Sequence, residues 1–443
     1  MANKALVFWL LASSFIFYGA WNTNDIFIIF FVIAINYLAV LGSPVHWGRG
    51  ILLLMIPVNL LTLGYFKYAA WLAGEFDSPG FVTAVLPLGI SFYVFQVIAF
   101  QVDYQRQVMG APKFAHFALF LSFFPQLIAG PIVSGRWLLP QLSRLERQTL
   151  AIALGLTMLS LGLMKKVLIA DTLSGGVDSI YAGDHEFTAV TTLAAAVGYG
   201  TQLYFDFSGY ADMAVGLALL FGIRLPQNFR APYLKTSISY FWRSWHITLS
   251  RFLRDYLYKS LGGNRVGIVR HLLNLLITMT LGGLWHGAGF QFILWGALHG
   301  SLLVLENTLR RVFPAFIRKI PVAISWFVTF ALVMVLWIPF RAEDLEHTGR
   351  ILAGLQHWQA PPGFSLDSIW KPIIQLDTSL TQPWVVLFLA VLALTLTHVM
   401  PTAWRWSLTA GSFKRGCLVG FAFLLAVKTL VARPEQPFLY FQF

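Results

Sequence analysis

Charge is what this 443-residue chain has least of: Asp, Glu, Lys and Arg make up 11% of it, against roughly a quarter in an ordinary soluble domain. So few charges cannot cover a soluble globular surface, which excludes a soluble enzyme. Cysteine is nearly absent as well. Cys417 stands alone in an apolar run, which excludes a disulfide framework and a cysteine metal site; core packing is its expected role. No Pro, Gly or Ser tract is long enough to be a linker and no repeat recurs along the chain, which argues for one domain over residues 1–443. Hydrophobic residues are abundant, at 57%, and the mean hydropathy is +0.69.

Ten to twelve apolar runs, of about 17 to 25 residues where they are long enough to cross a bilayer, extend from Ala5–Trp21 to Gly416–Val431. Among them are Ile51–Leu72, Phe81–Phe100, Phe114–Ile132, Leu150–Ala170, Phe187–Phe205 and His271–Trp285. The expected fold is therefore an all-α integral membrane protein. The first run lacks a small-residue cleavage site and reads as a span, not a leader. The net charge of +12 would suggest nucleic acid in a soluble protein. Here it gathers in short loops, at Arg136–Arg147, Arg310–Lys319 and Arg405–Arg415, as the positive-inside rule places cytoplasmic loops. Nucleic acid is not an expected partner; membrane lipid is. The polar interval Ala342–Leu380 reads as a surface loop with short helical pieces.

Between Tyr204 and His299 the chain concentrates acids, arginines and four of its ten histidines. In Ile238–Leu261, Phe241, Trp242, Trp245, Leu249, Phe252 and Leu253 recur at helical spacing, with Arg243, His246, Ser250 and Arg254 opposite them. One amphipathic helix is expected, interfacial or lining a cavity. The following run, HLLNLLITMTLGGLWHGAG, sets Asn274, Thr278, Gly282 and His286 on one polar, small stripe. An ionisable group in a membrane helix is costly and marks either a polar cavity or a hydrogen bond between helices. His286 is open to both readings, and His246 to either a direct role or plain solvation. In YFDFSGYADMAVG, Asp206 and Asp212 are open to orienting an imidazole, binding a cation or capping a helix, and their spacing decides nothing; Asp212 reads as the N-cap or first-turn acid of a helix Met213–Phe221. Neither His286 nor His246 has a His or Glu partner at metal-binding spacing, so no metal is expected. A membrane-embedded transferase, a proton-coupled transporter and a channel all fit these residues. A transporter typically shows paired broken helices, and none is visible.

The runs YFDFSGYADMAVGLALLFGIRLPQNFRAPY, SISYFWRSWHITLSRFLRDYLYKSLGGNR and LGGLWHGAGFQFILWGALHG resemble the membrane-bound O-acyltransferases, in the bacterial branch of alginate O-acetylation and D-alanyl transfer. The similarity extends upstream through GYFKYA, LPLGISFYVFQ, FFPQLIAGPI and GLMKKVLIAD, and downstream through WIPFRA to the closing LYFQF. It implies a ring of membrane helices around a central tunnel, with re-entrant or interfacial helices, in a bacterial inner membrane. It further implies an acyl thioester donor, with acetyl-CoA expected and no cofactor held, and as acceptor an exported or cell-wall polysaccharide, reached directly or through a periplasmic SGNH-type acetyltransferase. His286 then becomes the catalytic histidine and His246 its partner. Arg243, Asn274, Arg254, Trp285 and Asp206 become candidates for substrate contact or oxyanion stabilisation. A D-alanyl transferase fed by a carrier protein, and an acyl-histidine intermediate, are the alternatives within this class.

Overall fold

A computed structural model describes residues 2–42, 48–75, 85–128, 130–145, 149–358, 381–400, 402–408, 413–433, 436, 438 and 439, and among them every regular element is helical. Among the described residues, seven helices are long and apolar enough to span a membrane: Lys4–Trp21, Asp25–Gly42, Ile152–Ala182, Ile268–His286, Phe290–Val312, Val322–Arg341 and Phe413–Ala432, with Pro383–Thr397 a shorter apolar helix. Their outer faces carry large exposed apolar side chains such as Phe27, Val322, Phe421 and Leu424, which suits contact with hydrocarbon. Cys417 is exposed on the last of these helices, not packed in the core as expected.

Several apolar runs took other forms. Phe114–Ile132 breaks at Phe123 into helices Phe114–Ser122 and Phe124–Leu127, because Pro125 takes the first turn of the second helix, where its missing N–H costs nothing. Phe81–Phe100 contributes the 16-residue helix Ile90–Gln105; residues 81–84 lie outside the described residues. Phe187–Phe205 became part of α1 (Ala189–Leu220), 32 residues long and about 48 Å at ~1.5 Å per residue. Ala342–Leu380 opens with a short helix, Leu345–Ala353, capped by Asp344; its part beyond residue 358 lies outside the described residues.

The chain divides into two units. The first comprises residues 1–159, 213–227 and 254–256. Its helices are joined by buried amides: Asn36 and Asn59 exchange hydrogen bonds of 2.9 and 2.8 Å, and Gln101 donates to Asn36. In lipid, where apolar burial no longer separates one helix from another, such bonds and close packing hold helices together.

The second unit comprises residues 160–212, 228–253 and 257–443, and its core is aromatic, with Trp245, Trp295, Trp337, Tyr199 and Phe241 fully buried. It contains α2 (Ile238–Trp242), α3 (Ile247–Phe252), α4 (Ile268–His286), α5 (Phe290–Val312) and α6 (Val322–Arg341). Asp212 does not start a helix; it lies inside α1. Lys165 reaches it at 2.5 Å, and Lys166 binds Asp206 at 2.8 Å and Asp171 at 2.6 Å. Both lysines begin a π-helical turn, Lys165–Ala170. With these cations opposite, α1 runs on through two acids that would otherwise favour a helix end.

Candidate active site

The site is built on the hairpin of α4 and α5. A Cβ on Gly283 would lie 2.3 Å from the Phe292 carbonyl oxygen and 2.8 Å from Gly296 Cα, and one on Gly296 would lie 2.4 Å from the Met279 carbonyl oxygen. The two backbones therefore touch, which only glycine permits. Their approach brings the end of α4 against the start of α5. His286, the last residue of α4, is 4% exposed. Its imidazole packs edge-to-face against Trp285, Trp295 and Phe340, with centroids 4.9, 5.1 and 5.1 Å away. The stripe Asn274, Thr278, Gly282 and His286 is buried along α4, as its period foretold. Behind Trp295 lies His299, fully buried, its ring 4.8 Å from the indole. The His299 Nδ1 accepts a hydrogen bond from Trp242 Nε1 at 3.3 Å.

The expected single helix over Ile238–Leu261 is interrupted. α2 ends at Trp242, α3 starts at Ile247, and a π-helical turn, Leu253–Tyr258, follows. At the junction His246 adopts φ 39°, ψ 56°, a left-handed conformation that costs a residue with a Cβ of order 1–3 kcal/mol. What holds it is Asn228. The Asn228 Oδ1 accepts from the Thr248 backbone N–H at 3.2 Å and the Thr248 hydroxyl at 3.0 Å, and contacts His246 Nδ1 at 3.2 Å. The Ile247 N–H donates to the Asn228 carbonyl at 2.9 Å.

This arrangement also settles a tautomer. A backbone N–H can only donate, so the atom it meets is the amide oxygen, and His246 Nδ1 must carry the hydrogen that faces that oxygen. The lone pair of the neutral ring is on Nε2. His246 is fully buried, outside the spanning helices, and burial pushes its pKa down to about 3, so the ring is neutral near pH 7. It is not solvated on a polar face. Its ring lies 4.7 Å from Phe207 and 6.4 Å from Trp285. Trp285, 5% exposed, thus touches both imidazoles.

The other sequence candidates fall elsewhere. Arg243 is exposed and lies over its neighbour Tyr240, 5.6 Å from the ring centroid. Arg254 is exposed and forks onto Asp255 at 3.1 and 2.9 Å. Asn274 is buried, but its Nδ2 donates to the Leu261 and Gly263 carbonyls at 3.1 Å each, a clasp about 18 Å along α4 from His286 at ~1.5 Å per residue. Asp206 is committed to Lys166 and to the Leu439 N–H at 2.9 Å. Its neighbour Phe207 makes the contact with His246. Asn228, Trp295 and His299 sit inside the quoted motifs, yet periodicity has no signal for an amide that holds a turn or a second buried imidazole one helical turn from an indole.

The profile described as the membrane-bound O-acyltransferase family matches residues 40–341. The chain belongs to this family. It is 38% identical over 384 residues to a peptidoglycan O-acetyltransferase of Helicobacter pylori, covering 78% of this chain and 73% of that protein. It is 41% identical over 362 residues to "Probable alginate O-acetylase AlgI" of Azotobacter vinelandii, covering 78% and 72%. A teichoic acid D-alanyltransferase of Bacillus subtilis is 27% identical over 234 residues, covering half of this chain and 58% of that one. The protein is thus a membrane-bound acyltransferase. Acyl transfer to a hydroxyl needs a base for the hydroxyl proton, donors for the oxyanion that forms on the carbonyl, and exclusion of water, which would otherwise compete as acceptor. A buried imidazole in an aromatic box is suited to the first and third needs.

Proposed function

We propose that the protein is an O-acetyltransferase of a bacterial inner membrane, with His286 as general base. Its ten to twelve apolar runs form a ring of helices, re-entrant segments included, around a tunnel that lets donor and acceptor meet. The donor is acetyl-CoA or an equivalent acetyl thioester. The acceptor is a hydroxyl of an exported polysaccharide, reached directly or through a periplasmic SGNH-type acetyltransferase. The whole chain works as one catalytic domain.

The observation that carries this reading is the burial of His286 where α4 and α5 cross, next to an indole shared with a strained, neutral His246. In the reaction, the acceptor oxygen attacks the thioester carbonyl carbon while His286 takes its proton. The tetrahedral intermediate then collapses, the C–S bond breaks, and the imidazolium returns the proton to the leaving thiolate. The acetyl donor is favoured over D-alanyl by the higher identity and fuller coverage of the relatives named as O-acetylating enzymes.

The test is transfer from acetyl-CoA by purified protein in detergent, with mass analysis of exported glycans from the same strains. His286→Ala is expected to lower transfer by about 10²- to 10⁴-fold with insertion unchanged. Full activity in that variant sinks the proposal.

A further inference from the structure

The reaction places a negative charge on the former carbonyl oxygen, and the residues first considered for it are taken: Arg243 and Arg254 are exposed and Asn274 is engaged with two carbonyls. Two other hydrogen-bond donors lie on α5, Trp295 against the His286 ring and His299 behind Trp295. Trp295 is 1% exposed and its indole packs edge-to-face on the His286 ring at 87°. Its Nε1–H finds no acceptor among the described residues. His299 is one helical turn further along α5, so both side chains share one face.

The protonation of His299 follows from its neighbour. An indole nitrogen only donates, so the Trp242 Nε1–H makes His299 Nδ1 an acceptor, and the remaining ring hydrogen must be on Nε2. That Nε2–H also lacks an acceptor among the described residues, in a side chain that is fully buried. A buried donor without a partner costs about 1–3 kcal/mol, and such groups are rare in folded proteins. Here two occur on one face of α5, Trp295 in the aromatic box of His286 and His299 against the far side of that indole, and both are donors.

We propose that Trp295 Nε1–H and His299 Nε2–H form the oxyanion hole, donating to the thioester carbonyl oxygen as it becomes negative. The assignment rests on His286 acting as the base. Unmet donors in a site without bulk water are the arrangement that favours a charge present only in the transition state: they are already oriented, and no protein acceptor has to be given up when the charge forms.

The experiment compares Trp295→Phe, His299→Leu and His299→Gln with wild type, measuring kcat, KM for acetyl-CoA and the thermal midpoint in detergent. Trp295→Phe keeps the ring packing and removes only the N–H. It is expected to lower kcat by about 10²- to 10³-fold, with KM within about threefold and a midpoint unchanged or raised, since an unmet buried donor has been removed. His299→Leu is expected to behave likewise in kcat, and His299→Gln, which restores a donor, to recover part of the loss. A kcat within about threefold of wild type for Trp295→Phe overturns the proposal. So does a kcat loss that comes with a lowered midpoint, because the N–H would then be making a structural bond to a ring face. Failure of the underlying reading is separately visible: His286→Ala with undiminished transfer removes the base and overturns both.

Discussion

Replacing Gly283 with alanine is expected to part α4 from α5 at the point where the site is assembled. The added methyl would meet the Phe292 carbonyl oxygen at 2.3 Å and Gly296 Cα and N at 2.8 and 2.9 Å. All three are backbone atoms, so no side chain can rotate away. Ordinary carbon contacts need about 3.5 Å or more, so the helices must separate by about 1 Å. Overpacking of this kind costs about 1–3 kcal/mol. The effect on chemistry is expected to be larger than the effect on stability, because His286 is on one helix and Trp295 on the other, and a misplacement of about 1 Å can cost on the order of 10²-fold in rate. The assay is transfer from acetyl-CoA in detergent beside a thermal melt of the same preparation. A Gly283→Ala protein with wild-type rate and midpoint would refute the claim that a backbone crossing positions the base.

Asn228→Ala removes the acceptor shared by Thr248 and His246 and is expected to cost about 1–3 kcal/mol and to lower kcat, read by melting and by transfer kinetics; a silent variant would show that the strained His246 backbone holds itself. Lys166→Met leaves Asp206 and Asp171 without their shared cation and is expected to destabilise by about 3–5 kcal/mol, visible as loss of folded protein on size-exclusion chromatography. Arg243→Ala and Arg254→Ala are expected to stay within about 0.5 kcal/mol of wild type with transfer rates near normal; a large fall in kcat for either would restore the arginine to the site.

The membrane class, the stripe that ends at His286 and the grouping of histidines between Tyr204 and His299 were legible in the linear chain, because hydropathy and the 3.6-residue period are local properties. The interruption at His246 was not. The apolar residues of α2 and α3 keep a helix-like spacing across the break, while the turn itself depends on Asn228, which pairs with it only in the folded state. Asp212 shows the same limit. A carboxylate after an apolar run reads as a helix start, and whether the helix continues depends on a lysine far upstream in the chain.

By itself, then, the sequence determined the solvent, the helical class and the family, and singled out His286 as the candidate base, since composition, period and motif need no third dimension. Tertiary structure alone decided which polar groups are spent and which are left over. Arg254 is taken by its neighbouring acid and Asn274 by two carbonyls, while Trp295 and His299 keep their hydrogens among the described residues. The physical reason is that a hydrogen-bond donor is defined by what lies opposite it, and what lies opposite is set by helix crossings such as that of Gly283 and Gly296.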